Sequence, residues 1–475
     1  MMNSIKNQKD YKYKKYFRNL SYSLKNLNNS FLYFNPDIYK KDLEKNKVKS
    51  NYRFFKNSFK KSFLFDDKNK IKNSQICFIS HYVGNKISDK DLDFYYGNLF
   101  KNSKFKKSYF LILINHTNES LNEIKKKFNN SKISRVYINN SFNLFLDIRI
   151  VLKIIFEYLS FQIYKIFNLD KYLKSIKIKQ KFSFNYFFKS RFTYKVSKRI
   201  IDILNISKNI NNLVITLEGH AFEKIIFNYC KERKIKSIGY YFSVIREYKN
   251  SIYYNYLKNY EPDVILTSGY ISQKDLKNNL PKKKILVLGG NKNFPKNSNL
   301  NISKNNKKKI TVLVCPEGIY SETIKLFELI NNKTLINNKF QFLFRVHPVL
   351  RDSDFFERKL INSNIKFSNH NDIQEDFKKS DIILYSGSSV CVPAVMNGII
   401  PLNYRDPNNE FSRDPLYKVN KFVAQNKNEL KSKIILLTRP KKSLSIKYNM
   451  YKLMNYCDLY FTKLNHKVLI KALNN

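Results

Sequence analysis

The sequence predicts an α/β protein that consists of two Rossmann-like domains, each with a parallel sheet. Between residues 76 and 402, short apolar runs of strand length alternate with stretches in which apolar residues recur at helical spacing. Such an alternation is typical of βαβ units, whose strands are parallel and whose crossovers are right-handed. All ten glycines lie between Gly84 and Gly398, where they mark the turns of the same region.

The first domain is expected over residues 71–284. Its strands are predicted where apolar runs end in a polar or glycine-containing turn, at 76–81, 110–116, 135–138, 213–217, 237–241 and 264–269. The most apolar stretch of the chain, 142–169, carries five charged residues, which exclude a simple membrane span. Its helical spacing predicts a core or interface helix, with a membrane-surface helix as the alternative.

The second domain is expected over residues 285–445, and its first strand follows a linker region that includes the Asn- and Lys-rich stretch 291–308. Its strands are predicted at 310–315, 341–344, 381–385 and 399–402. Residues 1–70 contain no glycine and are predicted to form a basic, mostly helical extension. Residues 446–475 are predicted to form a helical tail.

The most specific local pattern is Ser386-Gly387-Ser388-Ser389, which follows the strand at 381–385 and precedes a helix-like run. Gly387 lets the backbone approach a phosphate without a Cβ clash, and the hydroxyls can donate to phosphate oxygens. A helix cap needs only one hydroxyl, whereas three serines surround this glycine. We therefore favour a phosphate-binding turn over an ordinary cap.

Two further turns are expected at the same edge, because ligands bind at the carboxyl ends of strands in open α/β sheets. Arg345 offers a bidentate fork to phosphate, and His347 a donor to a phosphate or to the glycosidic oxygen of the leaving nucleotide. Glu317 is expected to bind a ribose or sugar hydroxyl, with Gly318 leading into a helix. The alternatives are a structural histidine and a helix-start acid placed by the helix dipole.

These motifs resemble a known family. The motifs are R-x-H-P at 345–348, S-x-S-S at 386–389 and N-G-x-x-P-L at 397–402. They are similar to motifs in the donor-binding domain of GT-B glycosyltransferases with HP and SS motifs, as in capsule and lipopolysaccharide biosynthesis. The resemblance implies a GT-B-like fold, with the two parallel sheets facing across a cleft. It also implies a nucleotide-sugar donor in the second domain and a glycan acceptor in the first.

A second resemblance involves 217–224 and 238–243, which are similar to the E-x-x-x-x-E…IG-Y-x-H-S pattern of surface-carbohydrate biosynthesis proteins. Phe242 stands where that pattern has its histidine. Glu218 ends a predicted strand, so we expect it at the cleft, where it and His220 take the proton of the acceptor hydroxyl. Glu223 is expected to be a charge on the helix surface.

No metal and no cofactor are predicted, because the D-x-D matches at 91–93 and 352–354 do not follow apolar strands. The chain lacks the P-loop and the G-x-G-x-x-G pattern, which disfavours P-loop NTPases and nicotinamide dehydrogenases. Five scattered cysteines without zinc-ligand spacing favour a reducing cytoplasm.

The formal net charge of +51 invites a nucleic-acid interpretation. We discount it, because the favoured residues Lys, Asn, Ile, Phe and Tyr all have A/T-rich codons and the lysines are spread along the whole chain. Residues 171–199 contain ten Lys or Arg and no Asp or Glu, so we expect contact with the anionic inner face of the plasma membrane.

The sequence thus predicts a bacterial glycosyltransferase that moves a sugar from a nucleotide donor to a surface-polysaccharide acceptor, free or lipid-linked. One alternative keeps the fold and changes the reaction, to a CDP-glycerol type polyol-phosphate transferase or a UDP-sugar 2-epimerase relative. The other is a non-catalytic basic protein that binds nucleic acid or anionic lipid.

Overall fold

The structure is a computed structural model that describes residues 63–474, apart from 165–190, 245–251, 253–259, 291–308, 348–358, 408–413, 438–442 and shorter gaps of one to four residues. The predicted extension therefore lies outside the described residues up to position 62. In the described part, two α/β units with one mostly parallel sheet each confirm the predicted fold class. That the two sheets face across a cleft stays a prediction.

The first sheet has its topological switch point in the middle. Its strands are β1 (Phe63–Phe65), β2 (Ile76–Tyr82), β3 (Tyr109–Asn115), β4 (Arg135–Ile138), β5 (Asn212–Thr216), β6 (Lys236–Tyr241), β7 (Val264–Thr267) and β8 (Lys284–Val287). They lie in the order β1-β4-β3-β2-β5-β6-β7-β8, and only β1 is antiparallel to its neighbour. Because the chain moves from β2 out to β4 and returns to β5, the switch point lies between β2 and β5.

Helices cover both faces of this sheet, which explains why its inner strands are continuous apolar runs. Ile76 and Phe78 of β2 pack into one core, whereas Cys77 and Ile79 pack into another on the opposite face. The helices of this unit are α1 (Lys68–Lys72), α2 (Leu99–Asn102), α3 (Leu121–Lys127), α4 (Leu144–Tyr164), α5 (Arg191–Ile206), α6 (Ala221–Glu232) and α7 (Tyr270–Asn279).

Helices α4 and α5 pack together around a buried ion pair between Asp147 and Lys195. Arg199 of α5 is also buried and donates to a backbone carbonyl. Both cations belong to the stretch 171–199, which was expected to face an anionic membrane, and for these two side chains that expectation is wrong. A buried cation needs a partner, and α4 supplies one to Lys195. Residues 171–190 lie outside the described part of the chain.

The second sheet is entirely parallel and has its switch point between β9 and β12. Its strands are β9 (Ile310–Val314), β10 (Phe340–Phe344), β11 (Ile365–Phe367), β12 (Ile382–Tyr385), β13 (Ile400–Tyr404) and β14 (Val423–Ala424), in the order β11-β10-β9-β12-β13-β14. Its helices are α8 (Tyr320–Ile330), α9 (Ile373–Lys379), α10 (Cys391–Met396) and α11 (Lys427–Leu437).

The C-terminal part of the chain joins the two units. Helix α12 (Ser443–Asp458) packs on α10 of the second unit, and α13 (His466–Asn474) packs on the first. Between them, the Thr462 amide donates to the Ser268 carbonyl at 2.9 Å. Leu469, Ala472 and Leu473 of α13 belong to a core of the first sheet.

The structural units differ from the predicted boundaries at both ends of the first domain. Residues 63–70, expected in the extension, contribute β1 and the start of α1 to the first unit. Strand β8 extends to Val287, so the first unit continues past the expected boundary at 284/285. Strand β1 was not expected because an apolar run of only three residues, Phe63-Leu64-Phe65, does not distinguish a strand from part of a helix.

Candidate functional site

Three predicted turns lie side by side at the carboxyl edge of the second sheet. Strand β9 is central, with β10 on one side and β12 on the other. The Cys315 amide donates to the Leu384 carbonyl at 3.0 Å, and the Arg345 amide to the Val314 carbonyl at 3.0 Å. The turn after β9 therefore lies between the turns after β10 and β12, at the switch point where α/β proteins bind ligands.

The serines of the turn after β12 do not cap the following helix. Helix α10 has only six residues, its N-cap residue is Val390, and no side chain caps it. Among the described residues, the hydroxyls of Ser386, Ser388 and Ser389 make no hydrogen bond to a protein group. The Asn403 side chain donates to the Ser386 carbonyl at 2.8 Å and so holds the turn in place. The hydroxyls are thus available to a ligand, in contrast to the ordinary-cap alternative.

Gly318 lies directly against the ring of His347. A Cβ atom at Gly318 would lie 2.8 Å from His347 Nδ1, so any other residue would displace the imidazole. Burial lowers the pKa of His347, and the nearby Glu317 carboxylate opposes this shift. Glu317 is itself buried. The structure brings these three predicted residues together, and burial favours the neutral form of the imidazole.

Arg345 lies in an ion pair that the sequence analysis missed. Its Nη1 atom donates to the carboxylate of Asp376 at 2.5 Å and to the His370 carbonyl at 2.9 Å. Asp376 on α9 is fully buried and also accepts from Ser368 Oγ at 2.7 Å. Nothing in the spacing of residues 345 and 376 indicates this contact. Phosphate binding by Arg345 stays a prediction, and the contacts seen are those of a structural ion pair.

Glu218 follows β5 at the carboxyl edge of the first sheet, as predicted. Its carboxylate contacts His220 Nε2 at 3.1 Å and accepts from Ser243 Oγ at 2.8 Å. Burial opposes ionisation of Glu218, but these hydrogen bonds and the neighbouring imidazoles outweigh it and lower its pKa to about 2. The two stretches of the surface-carbohydrate pattern, around 218–223 and 238–243, therefore meet at one carboxylate.

Glu223 is not a surface charge, so that expectation is wrong. Its side chain is fully buried and accepts hydrogen bonds from the amides of Glu218, Gly219 and His220, at 3.1, 2.9 and 3.1 Å. An acid at the third position of a helix commonly bonds back to the amide of the cap residue, and that spacing was visible in the sequence. Glu223 thus holds the turn that carries Glu218 and His220.

Two histidines that the sequence analysis did not assign complete this edge. His81 is the penultimate residue of β2 and His116 follows β3, and His81 Nδ1 lies 2.8 Å from His116 Nε2. The rings of His81 and His220 have centroids 6.2 Å apart. Burial lowers the pKa of His81 to about 3 and that of His116 to about 4. Both residues end predicted strands, at 76–81 and 110–116, so the rule that led to Glu218 also indicates them.

Phe242, which replaces the histidine of the family pattern, lies in an aromatic cluster. Its ring centroid is 4.5 Å from that of Tyr95 and 6.2 Å from that of Tyr240. The position is therefore apolar and does not supply an imidazole to Glu218. Across the residues that the structure describes, no group of three or more His, Cys, Asp or Glu has the geometry of a metal site.

No protein-family model matches the chain. It is 30% identical over 300 residues to the uncharacterized protein MJ1060 of Methanocaldococcus jannaschii, an alignment that covers 57% of this chain and 53% of that protein. The chain thus spans about half the length of the curated relative it matches.

Similar solved structures include enzymes of more than one activity. S. aureus MnaA with UDP has a TM-score of 0.48 at 12% identity, and the match covers 84% of this chain and 95% of MnaA. A glycosyltransferase from Rickettsia africae has a TM-score of 0.45 at 12% identity, covering 85% and 99%. UDP-GlcNAc 2-epimerase from Neisseria meningitidis has a TM-score of 0.43 at 12% identity, covering 84% and 99%.

Proposed function

We propose that the protein is a GT-B-type glycosyltransferase that moves a sugar from a nucleotide-activated donor to a surface-polysaccharide acceptor. The observation that carries this proposal is the turn Ser386–Ser389, whose hydroxyls neither cap α10 nor bond to another described group. It lies beside the turn of Glu317 and Gly318 at the switch point of the second sheet. Hydroxyls and backbone amides at such a position suit a nucleotide diphosphate.

At the donor end, the serine hydroxyls hold the phosphates, and Glu317 accepts from a ribose or sugar hydroxyl. Burial lowers the pKa of His347 and so favours its neutral form. A neutral imidazole donates one N–H to the bridging oxygen and so stabilises the departing nucleotide diphosphate or monophosphate. The glycine at position 318 is required for this placement, since the ring lies where a Cβ would be.

At the acceptor end, Glu218 and His220 act together as the base. The Glu218 carboxylate is ionised, since its pKa is about 2, and it orients the imidazole through Nε2. The pair takes the proton of the acceptor hydroxyl as that oxygen bonds to the anomeric carbon and the nucleotide leaves. No metal and no cofactor take part in this proposal.

The acceptor is a glycan or a lipid-linked glycan, and the enzyme works in the cytoplasm at the inner face of the plasma membrane. The basic stretch 171–190, which lies outside the described residues, supports contact with anionic lipid through its charge. In the described part of the chain, no helix is both long and apolar enough to cross a bilayer.

The test is a thermal-shift and calorimetry panel of UDP, GDP, CMP, CDP and their sugars. A ligand at about 100 times its dissociation constant adds roughly 2.7 kcal/mol of stability. Ser388→Ala combined with Ser389→Ala should weaken nucleotide binding about 10–100-fold, because hydrogen bonds to a charged phosphate are lost. Ser363→Ala, at the opposite edge of the same sheet before β11, is the matched control and should bind as wild type.

Wild-type nucleotide affinity in the double serine variant would refute the donor site. Formation of a C2-epimerised sugar without any acceptor would instead identify a 2-epimerase relative, and transfer from CDP-glycerol a polyol-phosphate transferase. Steeply salt-dependent binding of polyanions without nucleotide preference would identify the non-catalytic binding protein.

A further inference from the structure

Helix α4 is amphipathic, and only one of its faces is packed against the first unit. Ile150 and Ile154 are buried on the face toward α5, and Asp147 on the same side pairs with Lys195. The helix has 21 residues, so it is about 30 Å long. Its packing on α5 leaves the opposite face without a covering element among the described residues.

That opposite face is a continuous apolar stripe. Phe145 is 79% exposed and Leu152 is 61% exposed. The stripe consists of seven exposed side chains that recur at intervals of three and four residues, namely Phe145, Ile148, Leu152, Ile155, Phe156, Leu159 and Ile163. Contiguous exposed apolar patches of this kind mark interaction surfaces in proteins of known function.

The charges around the stripe indicate what covers it. Arg149 is exposed beside one edge of the stripe, whereas the acid Asp147 faces inward. Lys153 is also exposed, but its ammonium lies over the Tyr194 ring of α5, 4.5 Å from the ring centroid. The chain continues from this helix into the acid-free stretch 171–199, in which eight of the ten Lys or Arg remain once the buried Lys195 and Arg199 are set aside. The partner must therefore combine an apolar interior with negative charges at its boundary. A second copy of the helix would instead bring the same cations toward each other.

We propose that α4 lies in the plane of an anionic membrane surface, with the apolar stripe in the boundary between headgroups and acyl chains. Arg149 then lies at the level of the lipid phosphates. A helix with a strongly polar face and an apolar face binds in this orientation, and one apolar anchor together with a basic segment gives stable attachment. This inference does not depend on the reaction and makes the helix a second contact besides the basic stretch.

The absence of tryptophan from the chain allows a direct test. Leu152→Trp places a single reporter in the stripe, and Tyr448→Trp places one at an exposed position of α12 in the second unit. Vesicles of phosphatidylcholine with about 30 mol % phosphatidylglycerol should shift the emission of Leu152→Trp to the blue, and brominated lipid should quench it. The emission of Tyr448→Trp should not change.

Binding strength is measured by vesicle co-sedimentation of the full chain. Leu152→Ser/Phe156→Ser/Leu159→Ser should lower the partition coefficient by roughly 100-fold, since three apolar side chains no longer enter the lipid. Leu444→Ser/Tyr448→Ser/Tyr451→Ser, which changes three exposed side chains of α12, is the matched control and should partition as wild type. Both variants change exposed positions, and equal urea midpoints would verify that the fold is unaffected.

An emission spectrum of Leu152→Trp that vesicles leave unchanged would overturn the proposal. So would equal binding to vesicles of pure phosphatidylcholine, because the anionic component would then be irrelevant. A dimer in light scattering that the stripe variant dissociates, without vesicle binding, would assign the stripe to an interface between copies. Nucleotide affinity is measured separately in the serine variants, so failure of either proposal leaves the other testable.

Discussion

Replacement of Arg345 by alanine should destabilise the second unit, whatever the role of this residue in nucleotide binding. Asp376 is fully buried, and the variant leaves its carboxylate without the cation 2.5 Å away. Removal of one partner of a buried ion pair costs about 3–5 kcal/mol. Because Ser368 and His370 Nδ1 still donate to Asp376, at 2.7 and 2.8 Å, we expect the lower limit of this range, about 3 kcal/mol.

The assay is urea unfolding followed by circular dichroism. With a slope of about 2 kcal/mol per molar urea, the loss shifts the midpoint by about 1.5 M. Arg345→Ala/Asp376→Asn removes the buried charge along with its partner, so it should recover about half of the lost stability. Nucleotide affinity of the stable double variant then reports on phosphate binding alone. An Arg345→Ala variant of wild-type stability without nucleotide affinity would refute the structural role and make the guanidinium a phosphate ligand.

Three further outcomes are expected. Glu218→Gln should lower turnover about 10²–10⁴-fold at saturating donor while nucleotide affinity stays the same, and surviving turnover would make the carboxylate structural. The pKa of His81 is about 3 in the folded state, below the value near 6.5 that it has in the unfolded state. As the pH falls from 6.5 toward 3, the His81 imidazole therefore binds a proton only in the unfolded state. Stability should therefore fall by about 1.4 kcal/mol per pH unit below pH 6.5, and urea unfolding of His81→Gln at several pH values should lack this contribution. Gly269→Ala should lower the stability by about 1–3 kcal/mol and expose the segment after α12 to proteases, because the new Cβ overlaps the Tyr460 carbonyl. Gly290→Ala is the control: its new Cβ lies 3.3 Å from the nearest atom, so this variant should resist digestion as wild type does.

The long strands of both sheets were predictable, because a strand buried on both faces is a continuous apolar run whatever its neighbours are. Strands β2, β3, β5 and β9 are of this kind. The two-residue strand β14 and the three-residue strands β1 and β11 were not predictable. Such short edge strands take their conformation from the strand next to them rather than from their own composition.

The candidate site was predictable as far as one rule reached, namely that ligands bind where parallel strands end. The rule led to Glu218, His347 and the serine turn, and applied consistently it would have included His81. It did not lead to Asp376, which lies on a helix and contacts Arg345 from 31 positions away. Hydrogen bonds between side chains distant in the chain depend on how helices dock, and no local spacing encodes that.

The docking of α13 on the first sheet has a consequence for how the protein is made. Strand β8 ends at Val287, but Leu469 and Leu473, which fill the same core, are synthesised far later. At about 5–20 residues per second, the ribosome takes roughly 10–35 s to cover that distance. During this interval, the core that contains Leu288 lacks Leu469, Ala472 and Leu473 of α13. Expression yield should therefore depend on chaperones that bind nascent chains, and fragments that stop before residue 466 should aggregate instead of forming an isolated first domain.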